Sequence, residues 1–217
     1  MSELQRGWCA PEVQHELPKL ALVCLYADPR LPSLTGPSPR ALRIRLRELS
    51  NRWRGARAVG VRQEPVPAAY RAFFRQIGLD PDVVKTPIEA AVLGRMLDGG
   101  FLSRDAISDV LTIATMDTGV PVWALACETL KGRLGVRLSR EGERLGDADE
   151  GWQLGDGQLV VADADRPVAL LFGEVSPAHA PCSETETVAL FAIQVAGVPE
   201  LHVEEALWSA RQLLEGG

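Results

Sequence analysis

Apolar residues change period near the middle of the chain, and that change predicts its architecture. In the first half Leu42, Leu46, Leu49 and Trp53 stand at i, i+4, i+7 and i+11, with Arg43, Arg47 and Arg54 on the neighbouring face of the same helix. A second helix is predicted over 67–77, turning Tyr70, Phe73, Phe74 and Ile77 inward and stopping at Gly78. Thr86-Pro87-Ile88-Glu89 is a capping box with proline at the first helical position, and the helix it opens closes at Gly99-Gly100. A fourth helix is predicted over 103–118, with Ile107, Val110, Leu111 and Ala114 at helical spacing and Gly119 as its end. Ahead of them, residues 20–26 (LALVCLY) read as a buried strand carrying Cys24, and the proline-rich stretch 27–40 reads as an extended loop.

After residue 120 the apolar runs shorten to strand length: VWALAC, GRLGVRL, GQLVVAD, PVALLF and TVALFAIQV, separated by Gly, Asp and Pro clusters. A last helix over 203–214, within the C-terminal segment 201–217, puts Ala206, Leu207, Ala210 and Leu214 on one face. Helices first and strands later predict an α+β fold. The length, 217 residues, suits one domain over 1–217 with an N-terminal arm at 1–10.

Composition changes the picture little. Hydrophobic residues at 46% and charged residues at 24% are ordinary for a folded domain. No apolar run approaches the roughly 18–20 residues of a membrane span, and the first residues lack the basic and apolar regions of a secretion signal. Cysteines at 9, 24, 127 and 182 form no Cys-x-x-Cys pair and read as reduced thiols, so the expectation is a cytoplasmic chain with no membrane partner.

Charge adds more. The net charge of -6 argues against indiscriminate coating of nucleic acid. Yet ten arginines between 40 and 75 face only Glu48 and Glu64, while from 141 onward fifteen acids face three arginines. This predicts a bipolar surface whose basic face, with Arg43, Arg47, Arg54, Arg57 and Arg62, would meet phosphates. The bland alternative is a set of solvated helix faces paired with acids.

Few motifs carry chemistry. His15, His179 and His202 stand too far apart for a zinc pattern, and neither a metal nor a cofactor is expected. His179-Ala-Pro-Cys182 reads as a surface loop, Asp163-Ala-Asp165 as an exposed turn, and Glu141 with Glu143 as a solvated strand face. Phosphate-loop, dinucleotide-binding and nucleophile-elbow signatures do not occur.

The ordered series ISDVLTIATMDTGVPVWA, KGRLGVRLSREGERL, GQLVVADADRPVALLFGEVS and SETETVALFAIQV resembles one family, the B3/B4 domain. This is the tRNA-binding and editing module within the beta chain of bacterial phenylalanyl-tRNA synthetase. The resemblance covers nearly the whole chain, with Asp109, Gly119, Pro121, Ala124, Asp163, Gly173 and Glu174 among the matching positions. It implies stacked β-sheets with flanking helices, and a stand-alone protein that binds tRNA or aminoacyl-tRNA. It also implies editing-type deacylation, as an aminoacyl-tRNA ester hydrolase, in a pocket at Trp123, Gly173, Glu174 and Phe191. In the family that pocket recognises the tyrosine hydroxyl through a histidine and a glutamate. Trp123 holds the histidine position and Phe191 falls at about the glutamate position, a change that fills or dries the pocket and argues against tyrosine-specific editing. Gly173 would let a ligand approach the main chain. The alternatives are a non-catalytic module for a small amino-acid-like ligand and an interaction scaffold.

Overall fold

The computed structural model describes residues 3–146 and 151–216. Part of the acid-rich third, Asp147, Asp149 and Glu150, lies outside the described residues, as do Met1, Ser2 and Gly217.

The fold is α+β, with two four-stranded sheets and a two-stranded ribbon among the described residues. The first sheet has the order β1 (Gln5–Arg6), β3 (Ala21–Ala27), β10 (Val188–Gln194), β4 (Val122–Ala126), antiparallel throughout. The second has the order β2 (Trp8–Cys9), β5 (Gly135–Leu138), β8 (Leu159–Ala162), β9 (Pro167–Leu170), in which only β2 and β5 run parallel. The ribbon pairs β6 (Arg144–Leu145) with β7 (Trp152–Gln153). β3 and β10 are central and covered on both faces, which is why they read as continuous apolar runs rather than alternating ones.

The N-terminal residues stitch the two sheets together. β1 belongs to the first sheet and β2 to the second, and the chain crosses between them at Gly7, where a Cβ would stand 2.5 Å from the Leu134 carbonyl oxygen and 2.9 Å from Leu22. Trp8 then lies over Gly135, the indole filling the place a side chain there would need, and its Nε1 donates to the Arg133 carbonyl at 2.8 Å. Neither strand is predicted from sequence, because two-residue strands carry no periodic signal.

The helical half follows the apolar pattern closely. α1 (Pro11–Glu16) is a short addition, and α2 (Arg40–Arg52) buries Leu42, Leu46 and Leu49, with Trp53 buried just beyond its end. α3 (Ala56–Gly60), a single turn bracketed by glycines, is not predicted for want of a period. α4 (Pro65–Gln76) starts two residues earlier than expected because Pro65 takes the first-turn position, where an N–H has no helical partner to lose. α5 (Pro87–Asp98) opens on the capping box with Thr86 and Glu89 in place and ends at Gly99 with φ 75°. α6 (Ala106–Thr118) begins later than expected: Asp105 is the cap, accepting from Ser108 N at 2.8 Å, while Ser103 instead bonds to Asp109. Its first amides are satisfied by the proline-rich loop, Ala106 N donating to Gly36 O and Ile107 N to Leu34 O. α7 (Glu200–Leu214) packs Val203, Ala206, Leu207, Ala210 and Leu214 against β10 and β3.

One predicted strand ends early. The run PVALLF is strand only to Leu170, and the chain then turns through Leu171, Phe172 and Gly173, with Gly173 N donating back to Leu170 O at 3.1 Å. That turn positions the aromatic cluster described next.

Candidate functional site

Direct register sets the centre of the site. Phe191 of β10 lies opposite Trp123 of β4 and opposite Cys24 of β3, so the three side chains share one face of the first sheet. The Trp123 and Phe191 rings stack with centroids 5.5 Å apart and planes 13° from parallel. Phe172 enters from the turn after β9, 5.9 Å from Trp123 and 5.5 Å from each of Tyr70, Phe73 and Phe74 of α4. Trp123 Nε1 donates to the Gly173 carbonyl at 3.0 Å and ties the turn down.

The four residues named from sequence for this pocket separate in space. Phe191 is 1% exposed and belongs to the core, whereas Glu174 is exposed. Gly173 and Trp123 line a cleft of about 360 Å³ between α5, α6 and the turn, together with Phe172, Leu111 and Thr112. The glycine has a packing reason of its own, since a Cβ there would come 2.7 Å from Cβ of Leu170. Sequence reasoning missed Phe172; the signal was a Phe-Gly pair ending an apolar run, which reads equally well as the last residues of a strand.

Neither the Cys24 nor the Cys127 thiol is activated. Burial pushes the Cys24 thiol up to about 12 and the Cys127 thiol up to about 11, far from thiolate at neutral pH. Tyr70 is fully buried, its hydroxyl donates to Ile193 O at 2.9 Å, and burial raises its pKa. Among the described residues no group of three or more His, Cys, Asp or Glu is placed to hold a metal.

Three assignments to the surface are corrected. His179 is fully buried in a 3-10 turn (Pro177–His179), while Cys182 is exposed, so the two do not form one loop site. Asp163 is 3% exposed, not a surface turn residue, because its carboxylate accepts from the backbone N–H groups of Lys131, Asp165 and Arg166 at 2.8–2.9 Å. Glu143 is largely buried in a two-bond pair with Arg137.

The arginines sort into two sets. Arg45 and Arg52 of α2 both pair with Asp117 of α6, Arg71 is nearly buried against Glu89 and Asp82, and Arg57 lies 4.5 Å over the Trp53 ring and 3.8 Å from Glu64. Arg40, Arg43, Arg47, Arg54, Arg62 and Arg75 are exposed, and no salt bridge among the described residues pairs them with an acid. Salt bridging with the chain's own acids therefore accounts for part of the basic segment only.

With this geometry in view, comparison with known proteins is informative. The profile of the B3/4 domain matches residues 69–206, and the chain belongs to that family. Relatives include the phenylalanine tRNA ligase beta subunits of Xanthomonas campestris (37% identical over 94 residues), Xanthomonas oryzae (39% over 95) and Xylella fastidiosa (36% over 94). Each match covers 43% of this chain and 12% of the relative's own length. The free arginines of α2 and the segment after it precede the family match, so they are a feature of this chain's N-terminal part.

No helix among the described residues is long and apolar enough to cross a membrane.

Proposed function

We propose that this B3/4 domain binds tRNA or aminoacyl-tRNA through the face carrying Arg43, Arg47, Arg54 and Arg62, with Arg57 at its edge. The observation that carries the reading is that exposed arginines, Arg43, Arg47, Arg54 and Arg62 among them, have no salt-bridged acid among the described residues in a chain of net charge -6. Unpaired guanidinium groups gathered in one segment of an acidic chain are suited to phosphate, which they contact with paired donors. The relationship to synthetase beta subunits supports RNA of the tRNA class as the partner.

Deacylation of mischarged tRNA is the finer form of the same reading. It would rest on a positioned water and backbone donors, since the nearby thiols are held protonated and the aromatic cluster is occupied by Phe172. The rival reading, a small amino-acid-like ligand, is favoured by the cleft beside Trp123.

The test is tRNA binding by fluorescence anisotropy between 50 and 300 mM salt, for the native chain and for Arg43→Ala/Arg47→Ala/Arg54→Ala. Affinity should fall on the log–log plot with a slope of roughly 0.7–0.9 per neutralised phosphate, and the triple variant should flatten it by about 2. Binding that ignores salt, or that the variant leaves intact, would sink the RNA reading. A panel of charged tRNAs in the same samples decides whether any ester is hydrolysed.

A further inference from the structure

Two faces of the molecule carry exposed apolar side chains, and they differ in charge. α5 turns Ile88 and Val92 inward, but Leu93, Met96 and Leu97 of the same helix are exposed, Leu97 by 78%. Exposed apolar residues scattered singly are ordinary, whereas a contiguous stripe on one helix marks an interaction site. The surroundings of the stripe are basic. The 3-10 turn Val61–Gln63 lies against α5 and carries the exposed Arg62, and α3 just before it carries Arg57 and the exposed Val59. Of the nearby acids, Glu64 lies 3.8 Å from Arg57 and Asp98 lines the cleft toward α6. The opposite edge of the first sheet is acidic and concave. Beside β1 a hollow of about 720 Å³ is lined by the apolar Leu4, Val23 and Trp208 of α7 and by Glu3, Glu200 and Glu204. Arg6 lines it too and is neutralised by Glu200 at 2.5 Å, which leaves the charges of Glu3 and Glu204. β1 and β4 are the two edges of this sheet, and α5 stands beyond β4, since its Ala90 and Ala91 share a cleft with Trp123.

We infer that these two faces are the halves of one interface between copies of this chain: the end of α5 of one copy, led by Leu97, seats in the hollow beside α7 of the next. The match is in form and in charge. The projecting leucine and methionine side chains meet an apolar lining, and Arg57 and Arg62 around them meet Glu3 and Glu204. The faces lie at opposite edges of the sheet, so one chain cannot join them to each other. The contact is therefore head to tail, and a copy bound at one face still offers the other. The inference goes beyond RNA binding. Arg57 and Arg62 also border the basic face, so the test is made without RNA.

The test is sedimentation velocity of the full chain, freed of nucleic acid, from about 1 to about 200 μM and at about 50 and about 300 mM salt. The sedimentation coefficient should rise with concentration at low salt and rise less at high salt, because the charges around the contact are screened. Leu97→Glu, or Met96→Glu, spoils the projecting face, and Glu204→Arg, or Glu3→Arg, spoils the hollow. Each alone should weaken self-association at least about tenfold. Mixing one variant of each kind leaves a single complete interface per pair, so the mixture should form a dimer and go no further. Circular dichroism checks the folding of each variant, and the second variant of a face replaces a first that does not fold. A native chain that stays monomeric throughout, single variants that associate as the native chain does, or a mixture that stays monomeric would overturn the head-to-tail contact.

Discussion

Asp163 shows how a carboxylate that looks like a turn residue comes to be buried. Burial by itself would raise its pKa, but the backbone N–H groups of Arg166, Lys131 and Asp165 bind the charged form and hold the carboxyl below the usual range. A depressed folded pKa stabilises above the unfolded value, near 3.9, and is lost as pH falls through the folded one. Asp163→Asn turns an acceptor into a group that also donates, facing amides. It should cost about 1–3 kcal/mol at pH 7 in urea unfolding, and the gap to the native chain should narrow as pH falls below the unfolded carboxyl value and through the depressed folded one. A pH-independent gap would place the cost in packing instead. Trp123 teaches a similar lesson: Trp123→Phe keeps the ring contacts and removes the Nε1 bond to Gly173 O, for an expected loss of about 1 kcal/mol in the same assay.

Between elements, α4 and α5 are joined by a polar hinge. Arg71 donates to Glu89 and Asp82, and Glu89 is also the acceptor for the Thr86 hydroxyl at the start of α5, so the capping box and the helix contact share one carboxylate. Arg71→Met would leave Glu89 nearly buried without its counter-charge, at an expected cost of about 3–5 kcal/mol. Adding Glu89→Gln should return part of it, and additive losses in that double-mutant cycle would count against the coupling. At the other end of the helical layer, Gly119 closes α6 with φ 78°. Gly119→Ala should cost about 1 kcal/mol for conformational reasons alone, because the new methyl would meet Val66 at an ordinary 3.5 Å.

At the scale of the whole molecule, both sheets contribute to one buried cluster that runs from Leu22 and Phe191 to Val136 and Val168. The chain crosses between them at Gly7, where a Cβ has no room, and Gly7→Ala should lower stability by about 2–3 kcal/mol, seen as a lower melting temperature in one cooperative transition. Two transitions would mean that the sheets unfold apart. Much of this was legible in sequence. The period of Leu42, Leu46, Leu49 and Trp53, the Thr86 box, the glycines at 99 and 119 and the apolar run of β10 each encode a local preference that the fold satisfies. Local pattern determined the longer helices and strands, though not β1, β2 or α3, and Arg43, Arg47 and Arg54 were named from helical spacing, Arg62 from the run of basic residues. Tertiary structure alone decided which charges found partners, that Asp163 and His179 lie inside, and that Phe172 leaves its strand to enter a cage of rings. The reason is physical: helix period, caps and turns are set by neighbours a few residues away. Burial of a carboxylate, pairing of Arg52 with Asp117, and the seat of Phe172 depend on groups brought together from distant parts of the chain.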